Sequence, residues 1–266
     1  MQHKIGALAP GQVALVTAGG SGIGRCIAET FLAHDCRVHI CDINPEAVDA
    51  FLAANPNATA SVTDISDPQQ VDTLFRDFSS NYDHLDILVN NAGVAGPTAP
   101  LEDIRVEDWD HTVAVDLNGQ FYVSRLAVPL LKRAGRGSII NIASNAAFFG
   151  FPLRSPYTAS KWAMIGLTKT WAMELGTSNI RVNALCPGSV RGDRIDTVIV
   201  RDARERGLTA DRIRDVYTRQ SSMRLFVEAQ DVANMALFLS SDIGSSISGQ
   251  AIGIDGHTEG LSNWLD

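Results

Sequence analysis

The chain has 266 residues, 45% of them hydrophobic and 20% charged, with a net charge of −8. That balance is ordinary for a globular protein, and the acidic surplus argues against a general binder of nucleic acid or anionic membranes. No apolar run approaches the roughly 20 residues that span a bilayer. Residues 1–12 lack the apolar core of a secretory signal, so a cytoplasmic protein is expected. The four cysteines, Cys26, Cys36, Cys41 and Cys186, show neither a CxxC pair nor metal-ligand spacing, which predicts buried thiols and no metal site.

The first element is a short apolar, β-branched run, VALVT at 13–17, which reads as a buried strand. AGGSGIGR follows and opens a helix over about 22–34. A strand feeding a glycine-rich turn at a helix start is an anion site, because bare backbone N–H groups face the anion and no side chain blocks its approach. Gly19, Ser21, Gly22, Ile23 and Gly24 are the candidates here. A second strand, 37–41, ends in Asp42, about twenty residues beyond the glycines. A carboxylate there accepts hydrogen bonds from both hydroxyls of a nucleotide ribose and repels a 2′-phosphate, which selects NAD over NADP; the alternative is a solvated loop aspartate.

A helix at 45–54 and a strand at 58–62 come next, then TDIS, in which Ser66 or Asp67 is placed to cap the following helix. LDILVNNAG supplies a fourth strand ending at Asn90. A helical region runs from about 106 to 133, broken near 116–119. GSIINIAS gives a fifth strand and ends in Ser144. From Pro156 the chain reads as helix, with Tyr157 and Lys161 one turn apart on a shared face.

A phenol titrates near pH 10, and an ammonium one turn away draws that value down by favouring the phenolate. Such a tyrosine can exchange a proton with a substrate hydroxyl near neutral pH. Ser144, thirteen residues before Tyr157, offers a hydroxyl for the substrate oxygen, with Asn145 as its competitor. Arg154, three residues before Tyr157, carries a planar fork matched to a carboxylate, sulfonate or phosphate, or else forms a surface or interface salt bridge. RVNALCPG is a sixth strand. The segment 191–224 holds nine arginines, six acids and no lysine. Most of these pair along helix faces, while Arg191 and Arg194 are nearest the site by sequence. A helix at about 229–240 and the strand in GQAIGIDG complete the pattern, without repeats.

Tyr157 and Lys161, Ser144, the glycine turn, Asp42 and the NNAG of residues 90–93 together resemble the classical short-chain dehydrogenase/reductase family over essentially the whole chain. The resemblance implies a single α/β Rossmann domain over 1–266, with a doubly wound seven-stranded parallel sheet and a substrate-covering lid at 188–226. It implies that Asp64 and Ile65 border the adenine and that backbone near Asn91 and Gly93 lies along the ribose. It also implies that Lys161 binds the nicotinamide ribose and that the chain forms a homotetramer or homodimer.

Three departures stand out. Ala18 replaces the first glycine of TGxxxGxG, and Gly192 replaces the threonine of PGxxxT, leaving Val190 and backbone to hold the carboxamide. Asp116 stands where the family has a catalytic asparagine that holds a water linked to the lysine, unless Asn118 takes that role. Oxidation of a secondary alcohol with NAD is the expected activity, on a small polar anion such as a hydroxy acid, sugar acid or organosulfonate. A neutral polyol or cyclic alcohol, a hydroxyacyl or oxoacyl thioester, and a non-catalytic NAD sensor or scaffold are the alternatives.

Overall fold

Strand and helix alternate throughout residues 8–261, which are the residues that a computed structural model of the chain describes. The strands are β1 (Val13–Thr17), β2 (Arg37–Asp42), β3 (Thr59–Val62), β4 (Ile87–Asn90), β5 (Gly137–Ile142), β6 (Ile180–Pro187) and β7 (Ala251–Ile254). They form one sheet in the order β3-β2-β1-β4-β5-β6-β7, and every pairing is parallel. The helices are α1 (Gly22–Leu32), α2 (Pro45–Ala54), α3 (Pro68–Asn81), α4 (Val106–Val113), α5 (Gly119–Ala134), α6 (Ser155–Leu175), α7 (Asp193–Arg206), α8 (Ala210–Arg219) and α9 (Ala229–Ser240). This is a seven-stranded doubly wound Rossmann fold.

The strand runs carry little polar alternation because both faces of the sheet are covered. In β1, Ala14 and Val16 pack with Ile27 and Phe31 of α1 and Val232 and Leu239 of α9. Val13 and Leu15 point the other way, toward Leu74 and Phe78 of α3 and Val123 of α5. β1 has β2 on one side and β4 on the other, so the order in which strands are added reverses there and opens a crevice at the carboxyl ends of those strands.

The break expected near 116–119 is instead a single π-helical segment, Ala114–Asn118, joining α4 to α5 without leaving the helix. The wider turn resets which side chains face inward. Asp116 is fully buried, whereas Asn118 is exposed, so the asparagine two positions on does not reach the interior. The arginine-rich segment folds as α7 and α8 around a small apolar centre of Val198, Ile199, Ile213, Tyr217 and Phe226, packed against Ala95 and Phe151. Burial pushes the thiols of Cys36, Cys41 and Cys186 up to about 12, so all three stay protonated at neutral pH. Among the described residues no helix is long and apolar enough to cross a membrane.

Candidate active site

The glycine turn between β1 and α1 is shaped by close approach. A Cβ on Gly19 would lie 2.6 Å from Ile40 Cβ, and one on Gly24 would lie 2.2 Å from the carbonyl oxygen of Ala18. Bare backbone is therefore needed where the turn meets β2 and where α1 meets the end of β1. Ala18 itself sits at φ 48, in the left-handed region that favours glycine, a strain of roughly 1 kcal/mol. Thr17, read from the sequence only as the end of a strand, does more: its Oγ1 accepts from the N–H groups of Asn91 and Ala92 at 2.9 and 3.0 Å. The Asn91 amide donates to the carbonyls of Thr17 and Ala18 at 3.0 and 3.1 Å, tying the loop after β4 to the glycine turn.

Asp42 is buried at the tip of β2. Its Oδ2 accepts from Gly20 N–H at 3.0 Å and its Oδ1 from Asn44 N–H at 3.1 Å. A carboxylate has about four acceptor positions, which leaves two for a sugar. The structure places Asp64 and Ile65 less directly. Asp64 Oδ1 accepts from the N–H and hydroxyl of Ser66, Asp67 caps α3, and Ile65 is buried with its side chain against Gly119. Neither side chain lines the cavity described next.

A cavity of about 420 Å³ runs from Ser21, Gly22 and Ile23 past Asn91 and Gly93 to Ser144, Tyr157 and Lys161, and on to Val190. β5 delivers Ser144 to it, and α6 delivers Tyr157 and Lys161. Ser144 Oγ accepts from Ala146 N–H at 3.1 Å, which fixes the hydroxyl at the start of a short 3-10 turn. Its neighbour Asn145 is committed to Thr258 Oγ1 at 3.2 Å. Lys161 is buried, its Nζ donates to the carbonyl of Ile142 at 3.2 Å, and the same ammonium lies 5.6 Å from the centre of the Tyr157 ring. Asp116 Oδ2 is 3.9 Å from Lys161 Nζ.

The arginines divide sharply. Arg191 is 61% exposed and paired with Glu228 at 2.8 Å, at the rim of the cavity. Arg194 donates to the carbonyl of Gly93 at 3.2 Å. Arg154 is 4% exposed. Its Cζ lies 5.2 Å from the Tyr157 ring centre and 5.3 Å from that of Phe151. Nη2 donates to the Ala95 carbonyl at 2.5 Å, and Nε has no partner. Among the described residues no carboxylate forms an ion pair with it, so the surface salt bridge considered for this arginine is not what the fold makes. Ala95, Phe151, Ile195, Val198 and Tyr217 wall the same end of the cavity. Tyr217 went unnoticed in the sequence; the signal was its place on the apolar face of α8 with Ile213.

Comparison with known proteins agrees with this geometry. Residues 17–258 match the model of the family described as enoyl-(acyl carrier protein) reductase. The chain is 34% identical to the 3-oxoacyl-[acyl-carrier-protein] reductase of Thermotoga maritima, over 92% of this chain and 97% of that protein. It is 32% identical to the D-beta-hydroxybutyrate dehydrogenase of Rhizobium meliloti, with the same coverage of each. Among solved structures, the fold superposes with a TM-score of 0.88 on a 7 alpha-hydroxysteroid dehydrogenase complexed with NADH and 7-oxo glycochenodeoxycholic acid, at 30% identity and full coverage of both chains. The chain belongs to the short-chain dehydrogenase/reductase family of oxidoreductases.

Proposed function

We propose that the chain interconverts a secondary alcohol and a ketone with NAD as its cofactor, on a substrate whose anionic group pairs with Arg154. The observation that carries the anionic part is the buried guanidinium: among the described residues its Nε has no hydrogen-bond partner and no carboxylate lies within ion-pair distance, and it faces the cavity beside Tyr157. Burial disfavours its charged form, and an incoming carboxylate or sulfonate supplies the missing partner in planar, two-point geometry. Lys161 lies 3.9 Å from Asp116, whereas among the described residues Arg154 has no carboxylate within ion-pair distance.

The residues fit the cofactor. The glycine turn is a cradle that side chains at positions 19 and 24 would fill, Asp42 has acceptor capacity for a ribose and repels a 2′-phosphate, and Val190 with the loop after Asn91 lines the approach to Tyr157. NADH bound in the hydroxysteroid dehydrogenase supports the same choice. When bound, NAD accepts the hydride; the chain positions and polarises. In oxidation Tyr157 takes the hydroxyl proton, Ser144 donates to the substrate oxygen and holds it, and Lys161 stands beside the phenol with its Nζ 5.6 Å from the ring centre. Phe121, Trp162 and Met173 are exposed on α5 and α6, which supports an assembly of two or four copies.

The test follows reduced nicotinamide by its absorbance, with NAD and with NADP, on a panel pairing each neutral polyol with its acid and sulfonate counterparts. The anionic member of a pair should be turned over with NAD, and Arg154→Met should lower its kcat/KM roughly 100-fold while leaving neutral alcohols nearly unchanged. Equal turnover of neutral and anionic members by both proteins would overturn the anionic reading.

A further inference from the structure

The lid has a core of its own, and that core is open on one side. Val198, Ile199, Ala203, Ile213, Tyr217 and Phe226 are buried together around α7 and α8. Ala95, Phe151 and Ile195 pack against them but are only partly buried, and each lines the cavity. The apolar wall of the cavity is therefore the uncovered face of the lid's own centre. Its outer ion pairs are wet and contribute little, so apolar area covered on the cavity side adds directly to what holds the lid closed. The polar groups stand apart from this face. Ser144, Tyr157 and Lys161 mark the reacting end, and the Arg154 guanidinium lies between the rings of Phe151 and Tyr157 with its Nε unpartnered. Tyr217 and Gln220 also line the cavity, and neither is without a partner in the protein. Ala95, Phe151, Ile195 and Val198 offer only carbon. A hydroxyl laid against them loses its water and gains no acceptor, a cost that a C–H does not carry.

We propose that the substrate is a hydroxy acid or keto acid built on a compact apolar ring, with no hydroxyl beyond the reacting one, and that this ring completes the core of the lid when it binds. The acid pairs with Arg154, the reacting oxygen lies at Ser144 and Tyr157, and the ring carbons cover Ala95, Phe151, Ile195 and Val198. A ring spans these groups without freezing rotatable bonds, which an open chain of the same length must do. Acids of polyols keep the contact with Arg154 and so outrun their neutral counterparts. Their extra hydroxyls meet the carbon wall, and they run slower than the apolar ring acid. The inference rests on the dehydrogenase reading above and on the pairing of an anion with Arg154, and it can fail while that reading stands.

Three compounds on one ring separate the two. Hydroxycyclohexanecarboxylate, as a mixture of its positional and cis/trans isomers, has the acid and the apolar frame; quinate has the same ring and acid with further hydroxyls; cyclohexanol has the ring and no acid. With NAD, kcat/KM should be roughly 100-fold higher for hydroxycyclohexanecarboxylate than for quinate. Quinate turned over as fast, or the ring acid not turned over at all, overturns the inference. Cyclohexanol turned over as fast as the ring acid overturns the anionic reading instead. The second arm needs no turnover: hydrogen exchange of the full-length chain with NADH and cyclohexanecarboxylate, which lacks a reacting hydroxyl. Amides of α7 and α8 should exchange roughly tenfold more slowly with cyclohexanecarboxylate than with quinate or with NADH alone. Equal protection by quinate, or none by cyclohexanecarboxylate, overturns the proposal. Ile195→Thr, which puts a hydroxyl on a partly buried part of the wall, should lower the ratio of ring-acid to quinate kcat/KM roughly tenfold. An unchanged ratio would show that this wall does not read the carbon frame, and would overturn the proposal as well.

Discussion

The two ends of the cavity are built on different principles. At the cofactor end, between β1, α1 and β2, glycine backbone is packed hard against its neighbours: a new Cβ would meet the Ile40 side chain at 2.6 Å from Gly19 and the Ala18 carbonyl at 2.2 Å from Gly24. At the substrate end, α7 and α8 hold a small apolar centre of their own and are laced by exposed ion pairs such as Arg214–Asp196 and Arg212–Asp215. The first end tolerates almost no change in volume because the branch point of Ile40 and the Ala18 carbonyl have no room to step aside. The second tolerates many, because each ion pair is wet and each helix touches the rest through few side chains. Under the proposed function, one site combines a fixed cofactor cradle with a replaceable substrate wall, and the chemistry would sit where they meet, after β5 and on α6.

The same substitution made at each end probes this contrast most strongly. Gly24→Ala drives a methyl into the Ala18 carbonyl and the Asn91 amide, and it should destabilise the protein by about 3 kcal/mol or more and abolish cofactor binding. Gly207→Ala, at the end of α7, meets nothing within 4 Å and pays only for a left-handed φ of 66, so about 1 kcal/mol is expected. Urea unfolding of the two variants is the check. Equal losses would show that the cradle gives way as readily as the lid.

One pH-dependent effect belongs to the cofactor half. His39 of β2 is buried between Thr59 Oγ1 at 2.8 Å and Ser61 Oγ at 3.1 Å, with the rings of Phe78 and Tyr82 edge-on to it. Burial lowers its pKa to about 4 from 6.5, against a weaker opposing pull from Asp77. The unfolded chain therefore binds this proton more readily than the folded one. The stabilisation is fully present above pH 6.5 and is lost as pH falls through about 4, a change of about 3 kcal/mol by linkage. Urea midpoints measured down that range should fall less steeply for His39→Asn than for the wild type. Parallel slopes would place the acid sensitivity elsewhere.

The sequence reveals most of the cofactor half because its signals are local. The run at 13–17, the glycines that follow and the carboxylate at 42 are each tied to a backbone requirement, and Tyr157 and Lys161 meet by helical spacing alone. Three features depend on long-range packing and leave no local trace. Arg154 is buried because the loop at Ala95 and the lid centre close over it, and nothing in residues 150–157 distinguishes that from a surface arginine. Arg191 and Arg194 are three residues apart, yet one pairs outward with Glu228 while the other reaches Gly93. Asp116 faces inward because the turn around it is π-helical; residue spacing suggests only an interruption there, and it is the family resemblance that singles the residue out.

The smallest effect expected is also the sharpest test of the lid. Arg214 and Asp196 approach to 2.5 Å, but their side chains are 41% and 52% exposed. Water competes for both, two long side chains are held in one geometry, and salt screens the rest, so Arg214→Gln should cost less than about 1 kcal/mol. Its melting temperature should fall by no more than a few degrees, and raising the salt concentration should narrow the difference from wild type. Activity on an anionic substrate should be unaffected, because Arg214 lies outside the cavity lining. If Arg214→Gln instead lowered kcat/KM as far as Arg154→Met does, the positive field of the whole lid, and not the single buried guanidinium, would be what attracts the anion.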